Sequence, residues 1–253
     1  MACSGGEYYL EHLGIIDSTN SYARGNATRL WSLAGDAQAV VVLADNQTAG
    51  RGQRGNKWQS RAGENLLVSI MVRPKALPMV SQFALSQAIA LAVRAAMSYL
   101  GIDVLLKWPN DIYVGERKLA GILVELDCCG VQVEQAVIGV GLNVNQEQFE
   151  AMDKVPVSMK MLTGEAHDVN EVLSVLLDSF LYYYSLLEKG DYRLLGAEYK
   201  RNLLGFGKTG HYRDAESCFD ASIIDVENDG RLRLRCADCS ERLYSFKEVE
   251  FIF

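Results

Sequence analysis

The sequence predicts a mixed α+β main domain followed by a small β-module. Short apolar runs of strand length recur through the first 145 residues, two longer segments have helical periodicity, and after about Gly205 short strands alternate with turn signals. The chain has 253 residues, and single cores stop growing at roughly 250–300 residues. We therefore expect one large domain over residues 1–204 and a small one over residues 205–253.

In the first third of the chain, the pattern predicts three strands and a helix start. Tyr8–Ile16 alternates loosely and then meets Ser-Thr-Asn at residues 18–20, which favour a helix N-cap. Residues 39–44 are typical of a strand buried on both faces, and Leu66–Val72 is a further apolar strand. Residues 47–63 lack an apolar period, so we expect a long loop, and such loops in compact domains are often functional.

The middle of the chain is predicted to hold two helices and four strands. Residues 80–100 carry one charge, and their apolar side chains would cover most of a helix. Asp168 and Glu171 form a capping-box pattern that opens the second helix, and Gly190 is expected to end it. The strands are expected at 102–106, 112–114, 119–126 and 137–144.

The last 50 residues contain a predicted β-hairpin. Its strands are expected at 219–227 and 231–236, joined by a turn at Asn-Asp-Gly. Arginines alternate along the second strand, and acidic residues alternate along the first. We interpret this as cross-strand charge pairing on a solvated face rather than as a nucleic-acid stripe.

Composition narrows the class of protein. There are 25 Lys+Arg against 32 Asp+Glu, so the net charge is −7 and the pI is near 5.1, which argues against nucleic acid as the main partner. The N-terminus lacks the pattern of a signal peptide, and we expect no segment to approach the ~18 apolar residues of a membrane span. We expect a cytoplasmic protein without a membrane partner.

The segment 50–58 (Gly-Arg-Gly-Gln-Arg-Gly-Asn-Lys-Trp) combines three glycines with three basic residues. The glycines allow close approach of the backbone to a ligand, while Arg51, Arg54 and Lys57 add a charge of +3 to a chain whose remainder carries −10. This indicates a small anionic ligand. The alternatives are a solvated surface loop and an arginine-glycine RNA-binding segment, although the latter normally repeats.

Two further segments can carry chemistry. Residues 107–111 (Lys-Trp-Pro-Asn-Asp) are expected to form an extended turn, because the proline keeps the preceding residue out of the helical region. Asp111 there either holds Mg²⁺ or caps a turn. Farther along, strand alternation places Gly139, Gly141 and Asn143 on one face, which is flat enough for a ligand to lie against.

In order and spacing, five motifs resemble those of the biotin protein ligases. They are Ser18-Thr19-Asn20, Gly50-Arg51-Gly52-Gln53-Arg54-Gly55, Lys107-Trp108-Pro109-Asn110-Asp111, Arg117-Lys118-Leu119-Ala120-Gly121-Ile122-Leu123-Val124-Glu125 and Gly141-Leu142-Asn143. The resemblance is strong over about residues 8–145 and weaker for the C-terminal module. It implies a mixed-sheet, class II synthetase-like α+β catalytic domain with a small C-terminal SH3-like β-barrel. It also suggests a short form, because only 17 residues precede Ser18 and the N-terminal DNA-binding domain of some members would not fit there.

The resemblance implies a two-step, ATP-dependent reaction. Biotin carboxylate attacks the α-phosphate of ATP to give biotinyl-5′-AMP, and a lysine of a biotin carboxyl carrier protein, part of a biotin-dependent carboxylase, then takes the biotinyl group. Biotin and ATP are the expected substrates, and Mg²⁺ is expected with them. A homodimer through an exposed sheet edge is left open.

By the same resemblance, Arg51 and Lys118 are the expected catalytic residues, at the biotin carboxylate and the α-phosphate. The expected biotin-binding residues are Ser18, Thr19, Asn20, Gln47, Gly50, Arg51, Gln53, Lys118 and Gly121. The expected ATP-binding residues are Arg51, Arg54, Trp58, Lys107, Asn110, Asp111, Lys118 and Asn143, with Asp111 as the candidate Mg²⁺ ligand.

One departure from the family pattern and three alternatives accompany this interpretation. Many members carry arginine at the position of Gln53. The loop is expected to act as a lid, so we hypothesise that the missing charge lets it release the adenylate somewhat faster here. Equal release rates for Gln53→Arg and the unsubstituted protein would contradict this. A lipoate or octanoate protein ligase and a non-catalytic biotin or nucleotide sensor are the alternative functions. The third alternative is self-biotinylation, because Met-Lys-Met at residues 159–161 looks like the acceptor tripeptide of biotin carrier proteins. We do not favour it, since no paired hairpin strands flank the tripeptide.

Overall fold

The computed structural model describes residues 2–5, 7–150 and 154–252. The larger of its two sheets consists of β1 (Ala2–Gly5), β2 (Tyr8–Ile16), β3 (Ala39–Gln47), β4 (Leu66–Val72), β5 (Leu105–Lys107), β6 (Asp111–Val114), β7 (Arg117–Cys129) and β8 (Gln132–Leu142). Their order in the sheet is β1-β2-β3-β4-β8-β7-β6-β5. The pair β2 and β3 is parallel and the other neighbouring pairs are antiparallel, so the predicted mixed sheet is confirmed.

Helices cover both faces of this sheet. They are α1 (Thr19–Gly25), α2 (Ala27–Ala34), α3 (Phe83–Tyr99), α4 (Met159–Thr163), α5 (Val169–Glu188) and α6 (Tyr192–Arg201). Alternate residues of β3 enter two separate cores: Val41 lies in the larger core with α3 and α5, and Val42 lies in the smaller core with α1 and α2. The prediction that this strand is buried on both faces is therefore confirmed.

The C-terminal part forms a second, antiparallel sheet. Its strands are β9 (Thr209–Arg213), β10 (Cys218–Val226), β11 (Leu232–Cys236), β12 (Glu241–Tyr244) and β13 (Glu250–Ile252), in the order β12-β11-β10-β9-β13. It packs on the main domain, because Trp108 Nε1 donates to the Gly230 carbonyl at 2.8 Å and the Trp108 and Phe246 ring centroids lie 5.4 Å apart. The SH3-like description and the boundary at residues 204/205 stay predictions.

The predicted hairpin of the C-terminal part is present as β10 and β11, and its charges are paired. Arg233 contacts Glu227 at 2.6 Å and Glu241 at 3.3 Å, and Arg235 contacts Glu241 at 2.9 Å. The alternating arginines therefore neutralise carboxylates within their own sheet.

Some boundaries differ from the sequence prediction. Residues 102–104 are not a strand: α3 ends at Tyr99, Gly101 follows with a φ of 78°, and the Ile102 amide donates back to the Met97 carbonyl. The predicted helix 80–100 starts later, after a 3₁₀ turn at Met79–Ser81. The sequence did not predict α2, α4, α6, β1, β9, β12 or β13 as separate elements, because they are short and their positions depend on tertiary packing.

One helix is long and apolar enough to cross a membrane by length and composition, which differs from the expectation that no segment approaches this limit. It spans Met79–Tyr99. Its most apolar stretch of 18 residues has a mean hydropathy of 1.3, and 61% of that stretch is buried. Because it packs against α5 and α6 and against the larger sheet, core packing accounts for its apolar composition.

Candidate active site

A cavity of about 1020 Å³ lies where the larger sheet meets the C-terminal sheet. Its basic lining residues are Arg51, Lys57, Lys107, Lys118, Lys154, Arg213 and Lys247, and its acidic ones are Asp111 and Glu250. An acidic protein thus concentrates positive charge around one cavity. Such a site favours anionic ligands.

Most of the predicted site residues line this cavity. They are Ser18, Thr19, Asn20, Gln47, Arg51, Gln53, Trp58, Lys107, Asn110, Asp111, Lys118, Gly121 and Asn143. Gly50 does not: its carbonyl accepts from the Trp58 amide at 2.9 Å, and a side chain at Gly50 would meet the Trp58 carbonyl, so this glycine permits closure of the loop. The Arg54 side chain lies outside the described part of the chain.

The first polar wall of the cavity joins the start of α1 to the end of β3. The Ser18 hydroxyl caps α1 by accepting from the Ser21 amide. Gln47 Oε1 accepts from the Thr19 amide at 2.7 Å and from its hydroxyl at 3.2 Å. Parallel pairing of β2 with β3 brings these residues to the same end of the sheet.

A hydrogen-bonded chain links Arg51 to the sheet. The Ser69 hydroxyl donates to Asn20 Oδ1 at 2.6 Å, and Asn20 Nδ2 donates to Glu125 Oε2 at 2.9 Å. Arg51 donates to both oxygens of Glu125, at 2.9 and 3.2 Å. Glu125, which belongs to a recognised motif but had no assigned role, therefore holds the guanidinium of Arg51.

The glycine-lined face of the sheet is covered by Trp58. A Cβ on Gly121 would lie 3.1 Å from Trp58 Cζ3, and one on Gly141 would overlap the indole. At Gly139 the neighbour is the amide of Asn20. The predicted flat face exists, but in this structure the flat group lying on it is the protein's own indole, whose buried Nε1 has no hydrogen-bond partner among the described residues.

Asp111 lies between two lysines. The carboxylate is 4% exposed, with Lys118 Nζ at 2.6 Å from Oδ1 and Lys154 Nζ at 2.7 Å from Oδ2. Burial alone would raise the pKa of Asp111, but the two ammonium groups outweigh it and hold that pKa below its usual value. Burial lowers the pKa of Lys118, against the opposing effect of Asp111.

Lys107 is the third lysine of this group and has a strongly perturbed pKa. Burial, reinforced by the positive charge of Lys154, lowers the pKa of Lys107 to about 8. Its ammonium nitrogen lies 4.5 Å from the centroid of the Phe251 ring of β13. The cavity therefore contains a cation whose charge changes near physiological pH.

The contacts of Asp111 do not support the Mg²⁺ ligation expected from the sequence, and that assignment stays a prediction. Both carboxylate oxygens already accept from ammonium groups, and the described residues contain no cluster of three or more His, Cys, Asp or Glu side chains suited to a metal. The amide nitrogens of Asn110 and Asn143 donate to the backbone carbonyls of Ile122 and Val157. These two residues thus also brace the walls of the cavity.

Sequence reasoning missed a second group of lining residues. They are Phe149, Lys154, Pro156, Arg213, Lys247, Val249, Glu250 and Phe251. No local motif marks them, because the C-terminal residues reach the cavity only through docking of the second sheet.

The acceptor-like tripeptide lies away from a hairpin. Met159 is buried at the start of α4, and Lys160 pairs with Glu147 at 2.6 Å. An acceptor lysine was expected between two hairpin strands, whereas Lys160 lies in a helix.

Comparisons with known proteins were consistent with each other. A sequence model of the biotin/lipoate A/B protein ligase family matches residues 14–143, about half of the chain. The biotin–[acetyl-CoA-carboxylase] ligase of Paracoccus denitrificans is 34% identical over 187 residues, covering 70% of this chain and 73% of that protein. The bifunctional ligase/repressor BirA of Bacillus spizizenii is 29% identical over 241 residues, covering 94% and 72%. In other curated relatives the match spans a smaller share of the protein, 41% of the BirA of Escherichia coli and 15% of the human biotin–protein ligase.

The fold comparison agrees with these matches. The biotin protein ligase of Aquifex aeolicus, in complex with biotin and ATP, superposes with a TM-score of 0.78 at 23% identity and covers 96% of this chain and 98% of that one. At this identity the likeness shows the fold, and it confirms the predicted α+β class.

Proposed function

The chain belongs to the biotin/lipoate A/B protein ligase family, and on that premise we propose that it is an ATP-dependent biotin protein ligase. It activates biotin as biotinyl-5′-AMP and transfers the biotinyl group to a lysine of a protein. The observation that carries this proposal is that residues from all five motifs meet in one cavity with a predominantly basic lining. The name of the Paracoccus relative supports biotin as the substrate.

The proposed chemistry follows from charge. Biotin carboxylate and ATP are both anions, so their approach is opposed by repulsion, and fixed cations lower the barrier by stabilising the charge on the transferring phosphate. A carboxylate oxygen forms the new bond to the α-phosphorus while pyrophosphate leaves. In the second step the carrier amine attacks the biotinyl carbonyl and AMP leaves, so the substrates supply both nucleophiles.

Arg51 and Lys118 are the residues we assign to this charge. Each is held by a carboxylate, Arg51 by Glu125 and Lys118 by Asp111, so both cations are kept at the cavity before substrate binds. The indole of Trp58 covers the sheet beside Lys118, at 5.6 Å between Nζ and the ring centroid. A lid of this kind would protect the adenylate, a mixed anhydride, from water.

The finer parts of the proposal concern the metal and the partners. Mg²⁺ would enter with the triphosphate of ATP, and we assign no step to a metal on Asp111. The name of the Paracoccus relative supports the carrier domain of a biotin-dependent carboxylase as the acceptor. A cytoplasmic location, a homodimer and the absence of a nucleic-acid partner stay predictions.

The test is biotin-dependent exchange of labelled pyrophosphate into ATP by the purified protein, followed by transfer to a biotin carboxyl carrier domain detected with streptavidin. Exchange is expected with biotin and not with lipoate. No exchange with biotin would refute the proposal, and exchange with lipoate alone would support a lipoate ligase. Binding of biotin without exchange would support a sensor.

A matched pair of arginine variants adds a control. Arg51→Ala is expected to lower exchange by about 100-fold or more, as when one well-placed donor is removed. Arg235→Ala removes an arginine that is paired with Glu241 in the C-terminal hairpin and does not line the cavity. Exchange by that variant is expected to match the unsubstituted protein.

A further inference from the structure

We propose that Lys154 is a positioning residue for adenylation: it keeps the buried Asp111 carboxylate paired, so that Lys118 can turn toward the reacting anion. This inference rests on the proposed function and assigns a role to a residue that no motif of the chain marks. Its basis is the sharing of one carboxylate by two ammonium groups.

The geometry gives each lysine its own oxygen. Lys118 contacts Oδ1 and Lys154 contacts Oδ2, at 2.6 and 2.7 Å, and neither replaces the other. The side chain of Lys118 is 21% exposed and that of Lys154 is 50% exposed, whereas their common partner is almost fully buried. Lys154 therefore reaches the carboxylate from the solvent side of the cavity.

The backbone holds Lys154 next to Lys118. The Lys118 amide donates to the Val155 carbonyl at 2.8 Å, and the Val157 amide donates to the Lys118 carbonyl at 2.9 Å. Farther on, the Ser158 hydroxyl caps α4. Lys154, the residue before Val155, is thus held beside the start of β7. Its contact with Asp111 therefore does not depend on a flexible surface loop alone.

The energetic argument concerns what happens when Lys118 moves. An ammonium group has three hydrogens, and Lys118 uses one on Asp111. If Asp111 had no other partner, drawing Lys118 toward an anion would leave a buried carboxylate unpaired, which is strongly unfavourable. Because Lys154 stays on the second oxygen, Lys118 can shift its charge toward the substrate at a much smaller cost.

An ordinary ion pair would behave differently. Half-exposed surface pairs contribute little to stability, and the loss of a pair that does not affect the reacting groups would leave kcat unchanged. A lysine that instead bound ATP directly would change the KM for ATP and leave kcat unchanged. The positioning role predicts a loss in kcat with little change in either KM.

The experiment compares Lys154→Ala and Lys154→Arg with the unsubstituted protein in biotin-dependent pyrophosphate–ATP exchange. Lys160→Ala is the control, because Lys160 pairs with Glu147 and does not line the cavity. We expect kcat to fall about tenfold in Lys154→Ala, with the KM values for biotin and ATP within about threefold. Lys154→Arg should recover most of the rate, and Lys160→Ala should be unaffected.

A second measurement uses the shared carboxylate. In an Asp111→Asn background there is no charge for Lys154 to neutralise, so Lys154→Ala should have little further effect on kcat. An equal loss in both backgrounds would overturn the proposal, as would unchanged kcat in Lys154→Ala, a change confined to the KM for ATP, or a loss that arginine does not restore. Absence of exchange in the unsubstituted protein would instead refute the proposed function.

Discussion

Gly141→Ala is expected to weaken the use of ATP while leaving the protein folded. Gly141 lies in β8, between Leu67 of β4 and Gly121 of β7, and its open face is covered by Trp58. The added methyl carbon would overlap Cε2 of the indole and would lie 2.8 Å from Cδ2 and from Cζ2. Because favourable carbon contacts begin at about 3.5 Å, the ring would have to retreat by about 1 Å.

The size of the effect follows from this displacement. Forcing an extra methyl against a packed ring costs about 1–3 kcal/mol, which corresponds to about a 5- to 150-fold loss in kcat/KM for ATP. The indole is carried by a loop that is closed by a hydrogen bond from the Trp58 amide to the Gly50 carbonyl. By contrast, β8 is paired with a strand on each side. The loop should therefore yield before the sheet does, and global stability should change little.

The assay is pyrophosphate–ATP exchange at varied ATP, with urea unfolding as the measure of stability. Gly121→Ala should have a smaller effect, because its methyl would lie 3.1 Å from Trp58 and 3.2 Å from the flexible end of Lys118. Gly14→Ala in β2 is the control, since no heavy atom lies within 4 Å of the added carbon. An unchanged kcat/KM for ATP in Gly141→Ala, with unchanged stability, would refute the reasoning.

Three further predictions concern charge and backbone. Lys118→Ala should fold normally but lose about 100- to 1000-fold in exchange, the effect of removing one preorganised cation, and a wild-type rate would show that the lysine is misassigned. Because burial lowers the pKa of Lys107 to about 8, its charge is lost as the pH rises through that value, so the KM for ATP should increase there and Lys107→Arg should remove the increase; a constant KM would contradict this. Burying the charged Lys107 lowers the free energy of unfolding below about pH 8. That free energy should rise between about pH 8 and 10.5, because the unfolded state binds more protons than the folded state there. Gly230→Ala combines a φ of 93° with a methyl 2.6 Å from the Phe83 ring, so it should lower the free energy of unfolding in urea by about 2–4 kcal/mol. The control is Gly115→Ala, which has a φ of 59° and open space around the methyl and should lower that free energy by only about 1 kcal/mol. Equal losses would exclude a steric contribution at Gly230.

Local patterns predicted much of the secondary structure. The strands Tyr8–Ile16 and Leu66–Val72 have the bounds that their apolar runs predicted, because alternation and the turn residues at their ends act over short distances. The second long helix was predicted from its Asp168 cap, which accepts from the Asn170 amide. By contrast, β9 and β13 are too short for a recognisable pattern, and they are strands because β9 pairs with β10 on one side and with β13 on the other.

The candidate site divides in a similar way. The five motifs located most of the residues that line the cavity, because each motif places its side chains at a strand end or a turn of the same sheet. They did not indicate that Trp58 would lie on Gly141, nor that Asp111 would be shared by two lysines. Those contacts depend on how a loop folds back and on which segments lie side by side.

The sequence by itself determined the α+β class, the family resemblance and the set of motif residues, because these follow from patterns within short stretches of chain. Only the tertiary structure decided how the charges are paired and which residues complete the cavity. Lys154 meets Asp111 across 43 positions of the chain, and Phe251 meets Lys107 from another sheet. Such partners are chosen by strand register and by the docking of one sheet on another, and a buried charge takes whichever counter-ion that packing brings within reach.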